Sequence, residues 1–327
     1  IPISITAMMP ILFSPFFLKI ELDEIVRNYG SPVVFLLLGG FIIAQGFESS
    51  KLHKRIALKT ILFFGNTRDK IIMSIIASTA FFSMWISNTA TCLLMLPIVK
   101  NIIENNFKSQ EDNNFSKILL LSIAYSASIG GMATPIGTIP NAVMIGYLQD
   151  NHNLEIDFLK WFIFVSPLVL VLLLLLFFYL RSRFQNNKKK IKIDYILDKY
   201  NDLGKISSVE KTTILILVLT ISLWIFKKPI NDLFGLKLTD SIIAIFGSVL
   251  FFIIPVKRQS FILDFYWYKN IPWNVLILFG GGLSMASLVM ETGLANELSK
   301  NIVFLNQLSL LLIIFILPFL TSLFTEF

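Results

Sequence analysis

One run of this chain leaves few folds open. From Ile71 to Ile103 it holds 33 mostly apolar residues around a polar knot, Ser87-Asn88-Thr89, set in Trp85-Ile86-Ser87-Asn88-Thr89-Ala90-Thr91. As one helix rising about 1.5 Å per residue, the run would reach roughly 50 Å, against a hydrocarbon core of roughly 30 Å. It is too long for one crossing and too short for two with a turn. A single tilted helix is one solution, with its Ser and Thr side chains bonded back to their own carbonyls. A re-entrant hairpin is the other: one helix enters, breaks near Ser87-Asn88-Thr89, and a second returns to the same side. Non-helical backbone at membrane depth is tolerated only where protein or a watery cavity satisfies its N–H and C=O groups. The hairpin therefore makes the break itself a site.

The membrane premise rests on composition. Of 327 residues, 55 % are hydrophobic and 15 % charged, with 31 Phe, whereas a soluble domain carries about 25 % charge. The expected class is an all-α polytopic protein of the cell membrane. Cys92, the one cysteine, sits in an apolar stretch and reads as a small core residue. The net charge of +7 gathers in a few loops, which points to topology rather than nucleic-acid binding. The chain starts at Ile1 with no signal-peptide pattern, and both ends fall inside apolar segments, so it reads as cut at each end.

Several segments flank the central run. A proline-interrupted span covers 1–18, and another covers 32–46. Next, 51–64 places Lys51, Lys54, Arg55 and Lys59 on one helix face, the pattern of a helix lying in the interface. After the hairpin at 71–103, the stretch 117–148 carries Gly130-Gly131-Met-Ala-Thr-Pro135-Ile-Gly137-Thr138-Ile-Pro140-Asn141. Three glycines and two prolines in that motif mark a broken span. Ser122, Ser126, Gly130 and Thr134 recur every fourth residue, as do Thr79, Ser83 and Ser87, and both stripes suit close helix packing. A plain span at 161–180 ends in Arg181, Arg183 and Lys188-Lys189-Lys190.

Loop charges discriminate between the two readings of the central run. With 181–210 as a cytoplasmic basic loop, Lys51 to Lys59 and Lys257-Arg258 share its side only if the hairpin returns to its own side. Lys227-Lys228 then falls outside, against the scheme.

An internal repeat is visible at an offset of 242: Gly39, Gly40, Ala44 and Leu52 fall on Gly281, Gly282, Ala286 and Leu294. Four crossings lie between the two glycine-bearing spans, so these run in opposite directions. Inverted repeats of this kind build secondary transporters whose sites lie between discontinuous helices. The expected division is a first repeat at 1–180, the basic loop at 181–210, and a second, incomplete repeat at 211–327. At this offset the second hairpin stops two residues before its tip.

These residues resemble the divalent-anion/sodium symporter family of the ion transporter superfamily, whose members carry dicarboxylates, citrate or sulfate. The matching motifs are Trp85 to Thr91 and Gly130 to Asn141, and Leu323 to Phe327 is similar to the lead-in of the family's second Ser-Asn-Thr. The family often has a further proline where this chain has Ile139. The resemblance implies a first sodium site of Ser83, Ser87, Asn88 and Gly137, with Thr325 in a second. It also implies that Ser87, Asn88, Thr89 and Thr138 meet the anion. It further implies a homodimer that works by alternating access, with sodium as the coupling ion and no other cofactor. Sodium is a hard cation suited to hydroxyl, amide and carbonyl oxygens, and a dianion suits half-helix N-termini. A neutral site avoids a fixed charge at the midplane, which is costly. An exchanger of the same fold is the alternative. A channel would need a pore lined by carbonyl rings, charged rings or a hydrophobic gate. An enzyme would need a nucleophile or metal cluster, whereas His53 and His152 read as surface residues.

Overall fold

The computed structural model describes residues 2–107, 112–152, 154–184, 191–256, 260–301 and 309–325. Within these residues the chain is all helix, without a strand. In order come α1 (Ile3–Thr6), α2 (Met9–Phe17), α3 (Leu22–Tyr29), α4 (Pro32–Ser49) and α5 (Leu52–Phe64). The predicted hairpin is α6 (Arg68–Ser83) and α7 (Asn88–Asn106), and the predicted broken span is α8 (Asp112–Gly131) and α9 (Ile139–His152). Then follow α10 (Phe158–Ser182), α11 (Asp194–Asp202), α12 (Ser208–Phe234) and α13 (Asp240–Ile253). A 3-10 turn at Phe265–Asn270 leads to α14 (Trp273–Glu291), α15 (Leu294–Asn301) and α16 (Leu310–Thr325). Among the described residues, four stretches are long and apolar enough to cross a membrane: Leu22–Ser49, Phe158–Ser182, Ser208–Phe234 and Trp273–Glu291. The protein is an all-α polytopic membrane protein.

Helix ends follow local chemistry. Ser87 caps α7, Asp157 caps α10 by accepting from the Lys160 amide at 2.8 Å, and Ser207 with Glu210 forms a capping box on α12. Contacts divide the chain into two compact units, Ile1–Gly30 with Ile277–Phe327, and Ser31–Leu276.

In the larger unit, α6 packs most extensively on α8, and α5, α7 and α10 close around the pair. Their core holds Ile71, Ile75, Phe82, Met95, Val99 and Ile123. The small-residue stripes lie here. Thr79, Ser83, Ser122 and Ser126 are fully buried, and a Cβ on Gly130 would stand 2.5 Å from Ala80 backbone. A second group, α4, α12 and α13, packs together beside it.

The two ends of the hairpin meet. The Ile191 amide donates to the Asn66 carbonyl at 2.8 Å, just before α6. The next residue, Lys192, exchanges hydrogen bonds of 2.7 and 3.1 Å with the side chain of Asn106, the last residue of α7. Arg68, first in α6, lies over the rings of Phe107 and Phe115 at 5.7 and 5.0 Å. A single tilted helix would hold these ends some 50 Å apart, so that reading falls. The 16 residues of α6 rise roughly 24 Å, less than a hydrocarbon core of roughly 30 Å.

Two charged groups differ from their sequence reading. Arg55, expected on the basic interfacial face with Lys51, Lys54 and Lys59, is buried. Its Nε donates to Glu210 Oε1 at 2.6 Å, and its Nη1 to the Gly204 carbonyl at 2.9 Å. The α11–α12 corner supplies a carboxylate and carbonyls that water would otherwise supply. Lys227, which counted against the charge scheme, pairs with Asp240 at 2.7 Å and Asp157 at 3.9 Å. The pairing explains where the Lys227 side chain sits, and the lysine still counts against the charge scheme, because that rule counts Lys and Arg and not net charge. Lys188 to Lys190 and Lys257-Arg258 lie outside the described residues.

Element starts recur along the chain. The helices α4, α5 and α6 begin at 32, 52 and 68, and α14, α15 and α16 begin at 273, 294 and 310. Two of the three starts repeat at the offset of 242 and the other within one residue. The paired glycines also sit at similar contacts, each inside its own unit: a Cβ on Gly39 would strike Ala244, and one on Gly281 would strike Ala7.

Candidate cation and anion site

Both breaks are held open by specific bonds. In the hairpin, the helical ladder stops at Ser83, and Met84 to Ile86 turn before Ser87 restarts it by accepting from the Ala90 amide at 3.3 Å. In the second break, Asn141 is the organiser. Its buried amide nitrogen lies 3.1, 3.2 and 2.8 Å from the carbonyls of Gly131, Met132 and Thr134, which share its two N–H donors. Thr134 ties one break to the other: its hydroxyl donates to the Met84 carbonyl and accepts from the Gly137 amide at 3.0 Å. Orphaned groups at broken helix ends are thus partly satisfied by side chains.

What remains is a cluster of oxygens. The Ser83 hydroxyl lies 2.7 Å from Asn88 Oδ1 and 2.6 Å from the Ala127 carbonyl. One hydroxyl has one proton, so it donates fully to only one of these acceptors. Gly137 closes the cluster, because a Cβ there would stand 2.5 Å from the Gly131 carbonyl and 2.7 Å from the Ser83 carbonyl. A Cβ on Gly131 would collide with Asn88 Oδ1. Two hydroxyl or amide oxygens and several carbonyls therefore converge with no room for a side chain between them. The donors are hydroxyl, amide and backbone carbonyl oxygens, so this set is neutral and hard, the kind that suits an alkali cation.

Four half-helices end here with opposite polarity. α6 and α8 present carbonyl ends at Ser83 and Gly131, while α7 and α9 present N–H ends at Asn88 and Ile139. The first pair favours a cation and the second an anion.

Three of the expected residues, Ser83, Asn88 and Gly137, come together in the oxygen cluster. Ser87 is exposed as the cap of α7, Thr89 is exposed in its first turn, and Thr138 is half-buried just before α9. Thr325 ends α16 in the smaller unit, and its side chain lies outside the described residues. The sequence reading passed over Thr134, which it read as packing, and Asn141, which it quoted without a role. Their spacing from the break at Gly137 was the available signal. It also passed over α10, whose first turn clamps both breaks. Phe158 stacks on Trp85 of the hairpin turn at 6.2 Å, and Trp161 Nε1 donates to the Met132 carbonyl at 3.0 Å.

Comparison with known proteins agrees with this geometry. Residues 1–327 match the family described as Citrate transporter. A sodium-dependent dicarboxylate transporter of Staphylococcus saprophyticus is 36% identical over 341 residues, covering 100% of this chain and 66% of the relative. Its namesake in Staphylococcus aureus strain USA300 is 37% identical over 329 residues, covering 96% of this chain and 63% of the relative. The chain thus spans just under two thirds of the length of these relatives. With a family match along its whole length, and broken helices meeting at a neutral oxygen cluster, this chain belongs to the citrate transporter family.

Proposed function

We propose that this chain carries the binding core of a secondary active transporter that moves a divalent anion, a C4-dicarboxylate foremost, with citrate and sulfate as the other candidates. Coupling is to sodium and the motion is alternating access. The observation that carries the reading is the meeting of Ser83, Asn88 and Gly137 between two carbonyl-presenting and two N–H-presenting helix ends. Sodium binds the Ser83 hydroxyl, Asn88 Oδ1 and the carbonyls around Gly137, with Ser87 alongside. Thr325 belongs to the second site. The anion meets the N-termini of α7 and α9 and the hydroxyls of Ser87, Thr89 and Thr138, with the Asn88 amide N–H2 as a donor. Bound sodium supplies the positive charge that these neutral groups lack, which gives a physical cause for coupling.

The two halves of the chain, 1–180 and 211–327 about the loop at 181–210, act in this reading as inverted repeats. The protein works as a homodimer. A monomeric mass in detergent and in membranes, together with full transport, would exclude the dimer.

Uptake of labelled succinate and of sulfate into proteoliposomes holding the full-length protein tests the function. Saturable succinate uptake that requires an inward sodium gradient is expected. Uptake that instead requires a counter-anion inside favours an exchanger, and flux that never saturates favours a channel.

A further inference from the structure

Thr134 and Asn141 stand beside the oxygen cluster, yet neither has a donor left for a ligand. Thr134 is fully buried. Its hydroxyl has one proton, which goes to the Met84 carbonyl, and its oxygen takes the Gly137 amide at 3.0 Å. Asn141 is buried too, and the carbonyls of Gly131, Met132 and Thr134 share its two N–H donors. An asparagine that caps a helix accepts from that helix's own amides. Asn141 sits in the first turn of α9 but donates backwards, to the carbonyl end of α8 and the turn after it. Its N–H groups therefore serve α8 rather than α9. What these bonds hold is the backbone of the cluster. The Gly131 carbonyl, bonded to Asn141, would stand 2.5 Å from a Cβ on Gly137. The Ser83 carbonyl, one residue before Met84, would stand 2.7 Å from the same point.

We propose that Thr134 and Asn141 are positioning residues for sodium, which set its affinity without binding either ligand by fixing the peptides of Met84 and Gly131. The inference rests on the transport reading above. With these peptides held, sodium meets carbonyls already turned towards it. Without them, sodium must itself order the two breaks. Its apparent affinity then falls by the fraction of molecules in the competent arrangement, while the filled site stays the same. Groups that orient the ligands of a metal ion are typically worth roughly 10–100-fold in its affinity. The proposal therefore separates two quantities: sodium half-saturation shifts, and the maximal rate does not.

The test measures succinate uptake by the full-length protein in proteoliposomes over a range of sodium concentrations. Thr134→Val keeps the shape and deletes the hydroxyl, and Asn141→Leu keeps the size and deletes the donors. Thr134→Ser keeps the hydroxyl. In the first two, half-maximal uptake should need about tenfold more sodium or above, with the maximal rate at saturating sodium within about twofold of wild type. Thr134→Ser should stay near wild type. A side chain that merely stabilised the fold would act otherwise, since fewer active molecules lower the maximal rate and leave half-saturation alone. Unchanged half-saturation, with or without a lower maximal rate, overturns the proposal. So does a shift in Thr134→Ser as large as that in Thr134→Val. The unfolding temperature without sodium reports whether each variant is folded, and should Asn141→Leu fail there, Thr134→Val decides alone. Wild-type uptake that ignores sodium would overturn the transport reading and this inference with it, a result distinct from any difference between variants.

Discussion

Asn88 faces two opposite demands. Its Oδ1 points into the oxygen cluster, 2.7 Å from the Ser83 hydroxyl, and one amide offers both an acceptor and two donors. In the transport reading the oxygen serves sodium and the N–H2 serves the anion. Asn88→Asp in the complete protein keeps the oxygen, removes the donor and adds a negative charge beside a dianion, where like charges repel strongly at low dielectric. Sodium affinity should survive better than succinate affinity, which should fall by about tenfold or more. Asn88→Ala should weaken both. Were Asn88 only an N-terminal cap, Asp would serve equally, so unchanged succinate affinity in Asn88→Asp rules out the shared role. His53 gives a residue-scale test of the fold. Its folded pKa of about 4, lowered first by burial and then by Lys54, lies below the ordinary 6.5. Between those values the unfolded chain binds a proton that the folded chain lacks. Stability from this group is complete above about pH 6.5 and declines as pH falls towards 4. His53→Gln should flatten that acid limb in denaturation curves, and an unaltered limb would count against a buried neutral imidazole.

At the scale of elements, the hairpin geometry makes a topological prediction. The residue pair Lys59 and Lys192 is exposed, and Lys192 is bonded to Asn106 at the hairpin's base, close to where α5 leads into α6. Single cysteines at the two positions should react with a membrane-impermeant reagent from the same face, the cytoplasmic one. Labelling from opposite faces would refute the hairpin in the membrane. Much of this was legible in the sequence, because a run of 33 residues with a polar centre cannot be laid across a bilayer in many ways. The repeat was legible in the glycine and leucine matches at an offset of 242, and the starts of α15 and α16 lie at that offset from those of α5 and α6. Arg55 was not legible, since its burial depends on Glu210, a partner 155 residues away. At the site, the motifs pointed to Ser83, Asn88 and Gly137 through resemblance. The supporting bonds of Asn141 and Thr134 depend on how two breaks face each other across α6 and α8, which no local periodicity encodes.

Within the larger unit, alternating access needs one group of helices to move against another, and the contacts suggest where. The hairpin packs with α8 and α10, whereas α4, α12 and α13 pack among themselves. Between the groups, Phe158 of α10 stacks on Trp224 of α12 with centroids 4.4 Å apart and planes 6° from parallel. Beside that stack, the Phe158 amide donates to Asp240 at 2.8 Å and Lys227 pairs with the same carboxylate. This patch is one joint between the groups; Arg55 of α5 pairs with Glu210 of α12 at another, and α4 packs on α5 and α9. If the hairpin group shifts past α12 during transport, tethering the two sides there must stop the cycle. Phe158→Cys/Trp224→Cys, joined by a short bifunctional thiol reagent, should lose sodium-driven succinate uptake, and either single variant under the same treatment should keep it. Sodium binding should persist in the tethered protein, because Ser83, Asn88 and Gly137 all lie on one side of the joint. Uptake that continues at the untethered rate, with cross-linking verified by mass, would show that the two groups do not separate at this boundary.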